Sequence, residues 1–161
     1  MAEMVPPAFW NWAIGSVKRA YPSILFVAEV YNPMEYRHYV DAGFDYLYDK
    51  VGMYDTMRNV ICGNSPTSQI TTAWQWVDPI HDHKLYFLEN HDEQRVASDF
   101  FAGDAFRAYP AFVVNTLMRS NPFMVYAGQE YGERGMDAEG FSGKDGRTTI
   151  FDYWTVPSLY R

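Results

Sequence analysis

Apolar positions along the chain change period several times, and each change marks an element. Phe9, Trp10, Ala13, Ile14 and Val17 share one helical face, which closes at Lys18, Arg19 and the stop signal Pro22. Ile24 to Val30 is then a continuous, partly β-branched apolar run broken only by Glu29, a pattern that predicts a parallel strand covered on both faces. Asn32 as cap and Pro33 at the first helical position open a short helix through Tyr36, Tyr39 and Val40, with Gly43 as its stop. Phe44 to Tyr48 predicts a second strand. Tyr54 to Cys62 and Thr67 to Gln75 predict helices on either side of Gly63-Asn64-Ser65-Pro66. Lys84 to Leu88 predicts a third strand. Asp104 to Ser120 predicts a helix started or kinked by Pro110, with Phe106, Val113 and Leu117 facing inward, and Phe123 to Ala127 a fourth strand. The remaining tail is Gly-rich and aromatic, with no clear period.

Strands separated by helices imply an α/β fold with a parallel sheet and right-handed crossovers, either a small doubly wound domain or part of a TIM (β/α)8 barrel. Polar residues at the strand ends favour the barrel. Glu29, Asp49-Lys50, Asn90-His91-Asp92 and Gln129-Glu130 each follow the apolar part of a strand, and barrel enzymes draw catalytic groups from several strand C-termini. A doubly wound site would centre on a glycine-rich phosphate turn, which this sequence lacks.

Composition narrows the partner. With 161 residues, 48% of them hydrophobic, the chain can bury an ordinary core as one domain spanning residues 1–161. A formal charge of −7 without any Lys/Arg block argues against nucleic acid or an anionic membrane surface, and a neutral or cationic small molecule fits better. No apolar run is long enough to span a bilayer. The one cysteine, Cys62, reads as a small core residue at helical spacing from Met57 and Val60. No signal segment is visible at Met1 to Pro6, and the compartment stays open.

Two carboxylates are the candidates for chemistry. Glu29 sits between Phe26-Val27-Ala28 and Val30, where desolvation should raise its pKa and keep a proton available, as a general acid requires; a salt bridge with Lys50 or Arg95 is the structural alternative. Asp92 arrives with Asn90 and His91 at the mouth of a strand, where it could stabilise an oxocarbenium-like charge while His91 donates to a sugar hydroxyl; an Asx or N-cap turn is the alternative. Glu93, Gln94 and Arg95 read as a solvated helix entrance, with Arg95 placed to orient Asp92. His81-Asp82-His83 lacks a third ligand and is read as a surface loop rather than a metal site. Tyr31, Trp74, Trp76 and Phe141 offer flat faces for sugar rings, though each is individually a common core residue.

Phe26-Val27-Ala28-Glu29-Val30 and Phe87-Leu88-Glu89-Asn90-His91-Asp92 resemble the fifth- and seventh-strand motifs of glycoside hydrolase family 13, the α-amylase family, in the family's order. Pro122 to Gly132 is similar to its eighth-strand pattern, so the resemblance covers nearly the whole chain. It implies strands five to eight of the catalytic barrel, truncated at both ends relative to the family. It also implies a retaining mechanism on α-1,4-glucans such as starch or maltooligosaccharides. Glu29 would be the acid/base and Asp92 the transition-state stabiliser, with His91, Asn90 and Tyr31 binding substrate. The family nucleophile is an Asp ending the fourth strand in a Gly-Phe-Arg-x-Asp pattern, about 5 Å from the acid. Met1 to Val5 resembles the residues just after it, so the nucleophile is expected outside this chain and the chain alone is expected to be inactive. No cofactor is implied, and the family's calcium site is expected in the missing parts.

A non-catalytic barrel scaffold or carbohydrate-binding relative is the competing reading, and a phosphate-handling barrel isomerase ranks last for want of a phosphate turn. Half a barrel would leave two open sheet edges, which predicts self-association or complementation by the missing half.

Overall fold

The computed structural model describes residues 1–76, 78–135 and 146–148. Its framework is helix α1 (Pro7–Ala20), strand β1 (Val27–Ala28), helix α2 (Tyr36–Asp41) and strand β2 (Tyr46–Tyr48). Helices α3 (Asp55–Ile61) and α4 (Ser68–Trp76), strand β3 (Lys84–Phe87), helix α5 (Tyr109–Leu117) and strand β4 (Phe123–Met124) follow. The strands form one sheet in the order β1-β2-β3-β4, and every neighbouring pair is parallel. That is the α/β arrangement the alternation predicts.

Local chemistry accounts for the boundaries. Pro7 starts α1, and Lys18 and Arg19 lie in its last turn, where cations meet the partial negative charge of the helix end. The Asn32 side chain accepts from the Met34 amide at 3.1 Å, and Pro33 opens a tight 3-10 turn leading into α2. Gly43, at φ +109°, takes the left-handed conformation that ends α2. Asp104 caps the turn before α5 by accepting from Phe106 N at 2.9 Å, and Pro110 lies in the first turn of α5.

Asp45 ties α1, β1 and β2 together. One carboxylate oxygen accepts from Lys18 Nζ and the other from Phe26 N, both at 2.7 Å. Ile14, Ala28, Val30, Tyr36, Tyr39, Phe44 and Leu47 pack as one apolar cluster around this tie. A second cluster joins Met53, Tyr54 and Met57 to Tyr86, Phe87, Leu88 and Phe101, with the Tyr54 and Phe87 rings stacked at 5.0 Å. Cys62 packs at the edge of that second cluster, where its thiol lies 3.4 Å from the Phe101 carbonyl.

Two expectations fail. The first is that the strand of Ile24 to Val30 is covered on both faces: Ala28 and Val30 are buried, but Val27 is 46% exposed and Leu25 65%. Alternate residues of a strand point to opposite faces, and here only the face carrying α1 and α2 is covered. The second is that Phe106, Val113 and Leu117 turn inward, whereas all three are exposed. Helix α5 buries Ala111 and Asn115 instead, as does Ala108 in the turn before it. It is apolar on nearly every side, and small residues allow closer approach to the sheet than Phe or Leu does. Periodicity alone could not choose between its faces.

Candidate functional site

The C-terminal ends of β1, β2, β3 and β4 all lie on one side of the sheet, because the strands run parallel. Glu29 follows β1 directly. Its carboxylate lies 2.9 Å from the Met1 ammonium and accepts a hydrogen bond from Tyr31. Burial pushes the Glu29 carboxyl up, but the ammonium, the Tyr31 hydroxyl and the nearby His91 together outweigh it and hold the carboxyl below its ordinary range. The raised value expected from the apolar flanks is therefore corrected. Adjacent Val27 is open to solvent, and the dominant partners are a cation and a hydrogen-bond donor. The salt-bridge alternative with Lys50 or Arg95 is not formed either: Lys50 pairs with Asp55 at 2.7 Å and Glu93 at 3.4 Å, and Arg95 with Glu89 at 2.8 Å.

Tyr31 stands among the acids. Burial, its hydrogen bond to Glu29 and the charges of Glu29, Asp92 and Glu93 all push its phenol upward, so the hydroxyl stays protonated and can donate. Tyr48 on β2 also feels Glu29 and Asp92. The residues expected to act together thus share one electrostatic neighbourhood, although they come from the ends of different strands. The backbone of Tyr31 is fixed by Glu3, whose carboxylate oxygens accept from Tyr31 N and Asn32 N, each at 3.1 Å.

His91 and Asp92 follow β3 through a turn built by Asn90. Asn90 Oδ1 accepts from the amides of Asp92 at 2.9 Å and Glu93 at 3.0 Å, which makes an Asx turn. Asn90 itself is buried, and its Nδ2 finds no partner among the described residues. The turn leaves the His91 and Asp92 side chains partly open to solvent, with His91 Nε2 and Asp92 Oδ2 3.4 Å apart. The Asp92 carbonyl accepts from Arg147 Nε at 2.6 Å.

The reading of Glu93 to Arg95 as a solvated helix entrance is overturned. No helix starts there, and Arg95 is almost wholly buried. Its guanidinium donates to Glu89, to Thr148 Oγ1 and to the Ala127 carbonyl, each at 2.8 Å, and lies 4.3 Å above the Tyr126 ring. Glu89 also accepts from Val96 N at 2.7 Å. Arg95 therefore locks the loop after β3 to the loop after β4 instead of orienting Asp92 directly. Glu93 accepts from the Tyr54 hydroxyl at 2.9 Å.

One buried ion pair was not foreseen from the sequence. Lys84 and Asp49 form a buried pair at 3.4 Å, with the ammonium 3.6 Å from the centre of the Tyr36 ring. Burial lowers the Lys84 pKa against the pull of Asp49. A Cβ at Gly52 would run into Asp49 Oδ1, which explains the glycine one turn beyond it. The signal available was a Lys opening an otherwise apolar strand. Gln129 and Glu130 serve their own turn, accepting from Tyr126 N at 3.2 Å and Gly128 N at 3.0 Å. Of the proposed aromatic platforms, Trp74 carries the Arg119 guanidinium at 4.6 Å, Trp76 is exposed, and Phe141 lies outside the described residues.

His83 Nδ1 sits 3.0 Å from the Asp45 carbonyl, and His81 Nε2 lies 2.9 Å from Asp82. Among the described residues no group of three or more His, Cys, Asp or Glu stands placed to hold a metal, and no helix is long and apolar enough to cross a membrane.

Glu29 makes the stability of the fold depend on pH. Its folded-state pKa lies below the ordinary 4.5, so the unfolded chain binds more protons across this window. The stabilisation it brings is complete above 4.5 and is lost as the pH falls through the folded-state value. Acetylating the Met1 amine removes the ammonium and should move Glu29 upward in a carbon-detected NMR titration of its carboxyl; an unchanged midpoint would show that the ammonium is not what holds it down.

No family model matches the chain, and no curated protein matches it. Solved structures do. The α-amylase from H. orenii superposes with a TM-score of 0.69 at 20% identity, over 94% of this chain and 34% of its own. An α-amylase from Lactobacillus plantarum gives 0.65 at 24% identity, over 92% of this chain and 37% of its own. The noncanonic maltogenic α-amylase AmyB from Thermotoga neapolitana gives 0.61 at 25%, over 93% and 33%. The chain thus spans about a third of the length of these proteins. At such identities the likeness is one of fold: a four-stranded parallel α/β sheet that resembles part of the α-amylase barrel.

Proposed function

We propose that the chain is the strand-five-to-eight portion of a retaining glycoside hydrolase that acts on α-1,4-glucans. Glu29 is its acid/base and Asp92 its stabiliser of the oxocarbenium-like transition state. His91 donates to a sugar hydroxyl, Tyr31, whose one proton goes to Glu29, accepts from another, and Asn90 contributes through the turn that presents His91 and Asp92. The carrying observation is the convergence of Glu29, Tyr31, His91 and Asp92 from the ends of two strands into one electrostatic neighbourhood. Retaining chemistry needs a second carboxylate about 5 Å from the acid, as nucleophile. In this reading it comes from a preceding strand, outside residues 1–161. A peptide bond at Met1 in a longer chain would abolish the ammonium and remove part of what holds Glu29 down, leaving the Tyr31 hydrogen bond and His91 to oppose burial.

A second reading has one observation in its favour. A Glu29 kept ionised is a hydrogen-bond acceptor, which suits a carbohydrate-binding relative without catalysis. Both readings predict that maltoheptaose added to the isotopically labelled chain perturbs the amide signals of Tyr31 and Asn90 to Asp92 ahead of those of His81 to His83. Perturbation confined to the His81 loop, or none at millimolar sugar, rejects both.

A further inference from the structure

We propose that Lys50 touches the substrate, its ammonium donating a hydrogen bond to a hydroxyl of a neutral sugar that lies beside Tyr31. This rests on the α-glucan reading of the same strand ends, and adds to it a donor from the strand between β1 and β3. Lys50 follows β2 after Asp49, and β2 is flanked on both sides, so the position of Lys50 owes nothing to either edge of the sheet.

Local structure fixes the side chain. A single helical turn, Lys50–Tyr54, opens at Lys50 and is tied back by the Tyr54 amide, which donates to the Asp49 carbonyl at 3.0 Å. Met53 and Tyr54 plug that turn into the second apolar cluster. From this base the ammonium reaches Asp55 Oδ1 at 2.7 Å and Glu93 Oε1 at 3.4 Å. It also lies 5.0 Å from the centre of the Tyr54 ring and 6.0 Å from that of Tyr31. A lysine is ordinarily a flexible point charge. Here two carboxylates and two rings hold it, so much of the entropy that a ligand would have to freeze out is already gone. Asp55 is the nearer anchor, and it keeps the ammonium in place without the charge of Glu93.

An ammonium has three N–H donors, and the two carboxylates take two. The Lys50 side chain is 18% exposed, which gives the third a way out to the site. Charge decides what it meets there. Tyr31 feels Glu29, Asp92 and Glu93 at once, so the strand ends are rich in acceptors and repel an anion. The Tyr31 proton is committed to Glu29. A sugar hydroxyl can give its own proton to a carboxylate in such a place, but its oxygen then needs a donor. Lys50 supplies one from the end of β2, as His91 does from the end of β3. A bond from a charged donor is stronger than one between neutral groups, and a donor already held in place costs less to engage.

The chain has four lysines, so their ammonium signals are separable in a nitrogen-15 NMR spectrum, and Lys50→Arg identifies the Lys50 signal by its loss. Millimolar maltoheptaose added to the unaltered chain should move that signal and slow the exchange of its protons with water. The signals of Lys18 and Lys84, tied to Asp45 and Asp49, should stay where they are. Affinity for maltoheptaose should fall about 10-fold in Lys50→Met, which has no donor, and stay within about threefold of the parent in Lys50→Arg, which keeps one. Amides of Tyr31 and Asn90 to Asp92 that respond to the sugar while the Lys50 signal does not would overturn this inference and leave the α-glucan reading standing. If neither responds, both fall. Lys50→Met binding as tightly as the parent also overturns the inference, as does a Lys50 signal that answers inorganic phosphate and not maltoheptaose.

Discussion

In a chain extended upstream to include a carboxylate nucleophile, Glu29→Gln is expected to lower turnover of maltooligosaccharides by about 10²–10⁴-fold, the usual worth of a positioned general acid. Glutamine keeps the volume and the hydrogen bond to Tyr31 but has no proton to give the leaving glycosidic oxygen. The loss should fall on kcat, and it should be smallest for substrates whose leaving group needs no protonation, such as an activated aryl maltoside. Glu93→Gln is the control. Glu93 lies in the same neighbourhood but is engaged by the Tyr54 hydroxyl at 2.9 Å and by Lys50, and its removal should be mild. Equal losses from the two substitutions would remove Glu29 from the role assigned to it.

Arg95→Met is expected to destabilise the fold by about 3–5 kcal/mol, the cost of leaving a buried charge without its partner. Glu89 would remain buried with only the Val96 amide to answer it, and the loops after β3 and β4 would lose their connection through Ala127 and Thr148. The Glu89 carboxyl is already pushed up by burial against the pull of Arg95, and Glu133 adds to the push. Without the guanidinium it should rise further. A group whose folded-state pKa is raised favours the folded state at low pH, so the Arg95→Met chain should regain stability on mild acidification, opposite to the Glu29 contribution. Urea denaturation at two pH values measures both effects. Glu89→Leu combined with Arg95→Met should recover much of the loss. A double variant no better than Arg95→Met would show that the bonds to Ala127 and Thr148, and not the stranded charge, set its stability.

What could be read from the sequence was whatever local chemistry enforces. The Asn32 cap, the Gly43 stop and the proline in the first turn of α5 are decided by neighbours a few residues away, the parallel pairing follows from the long helical crossovers between strands, and the structure agrees. The outward turn of Phe106, Val113 and Leu117 was not legible, because a helix apolar all round is oriented by what it meets. The exposure of Val27 has the same origin at the other edge. At the candidate site, the positions of Glu29, His91 and Asp92 just after their strands were legible, while their joint role came only from the family resemblance. The depression of Glu29 could not be read, since it arises in large part from Met1, distant in sequence and adjacent in space, with Tyr31 and His91 adding to it. Arg95 was misread because a charged residue after an Asx turn looks solvated until Glu89, Ala127 and Thr148 surround it.

In the proposed reading, Glu29 and Asp92 belong to a retaining α-glucan site completed by a carboxylate from outside residues 1–161. Proton NMR of maltoheptaose hydrolysis, followed from the first minutes, tests it most directly. No turnover is expected from the 161-residue chain alone, and α-anomeric product should appear first from the upstream-extended chain. First-formed β-anomer, or turnover by the 161-residue chain that survives Glu29→Gln, would contradict it.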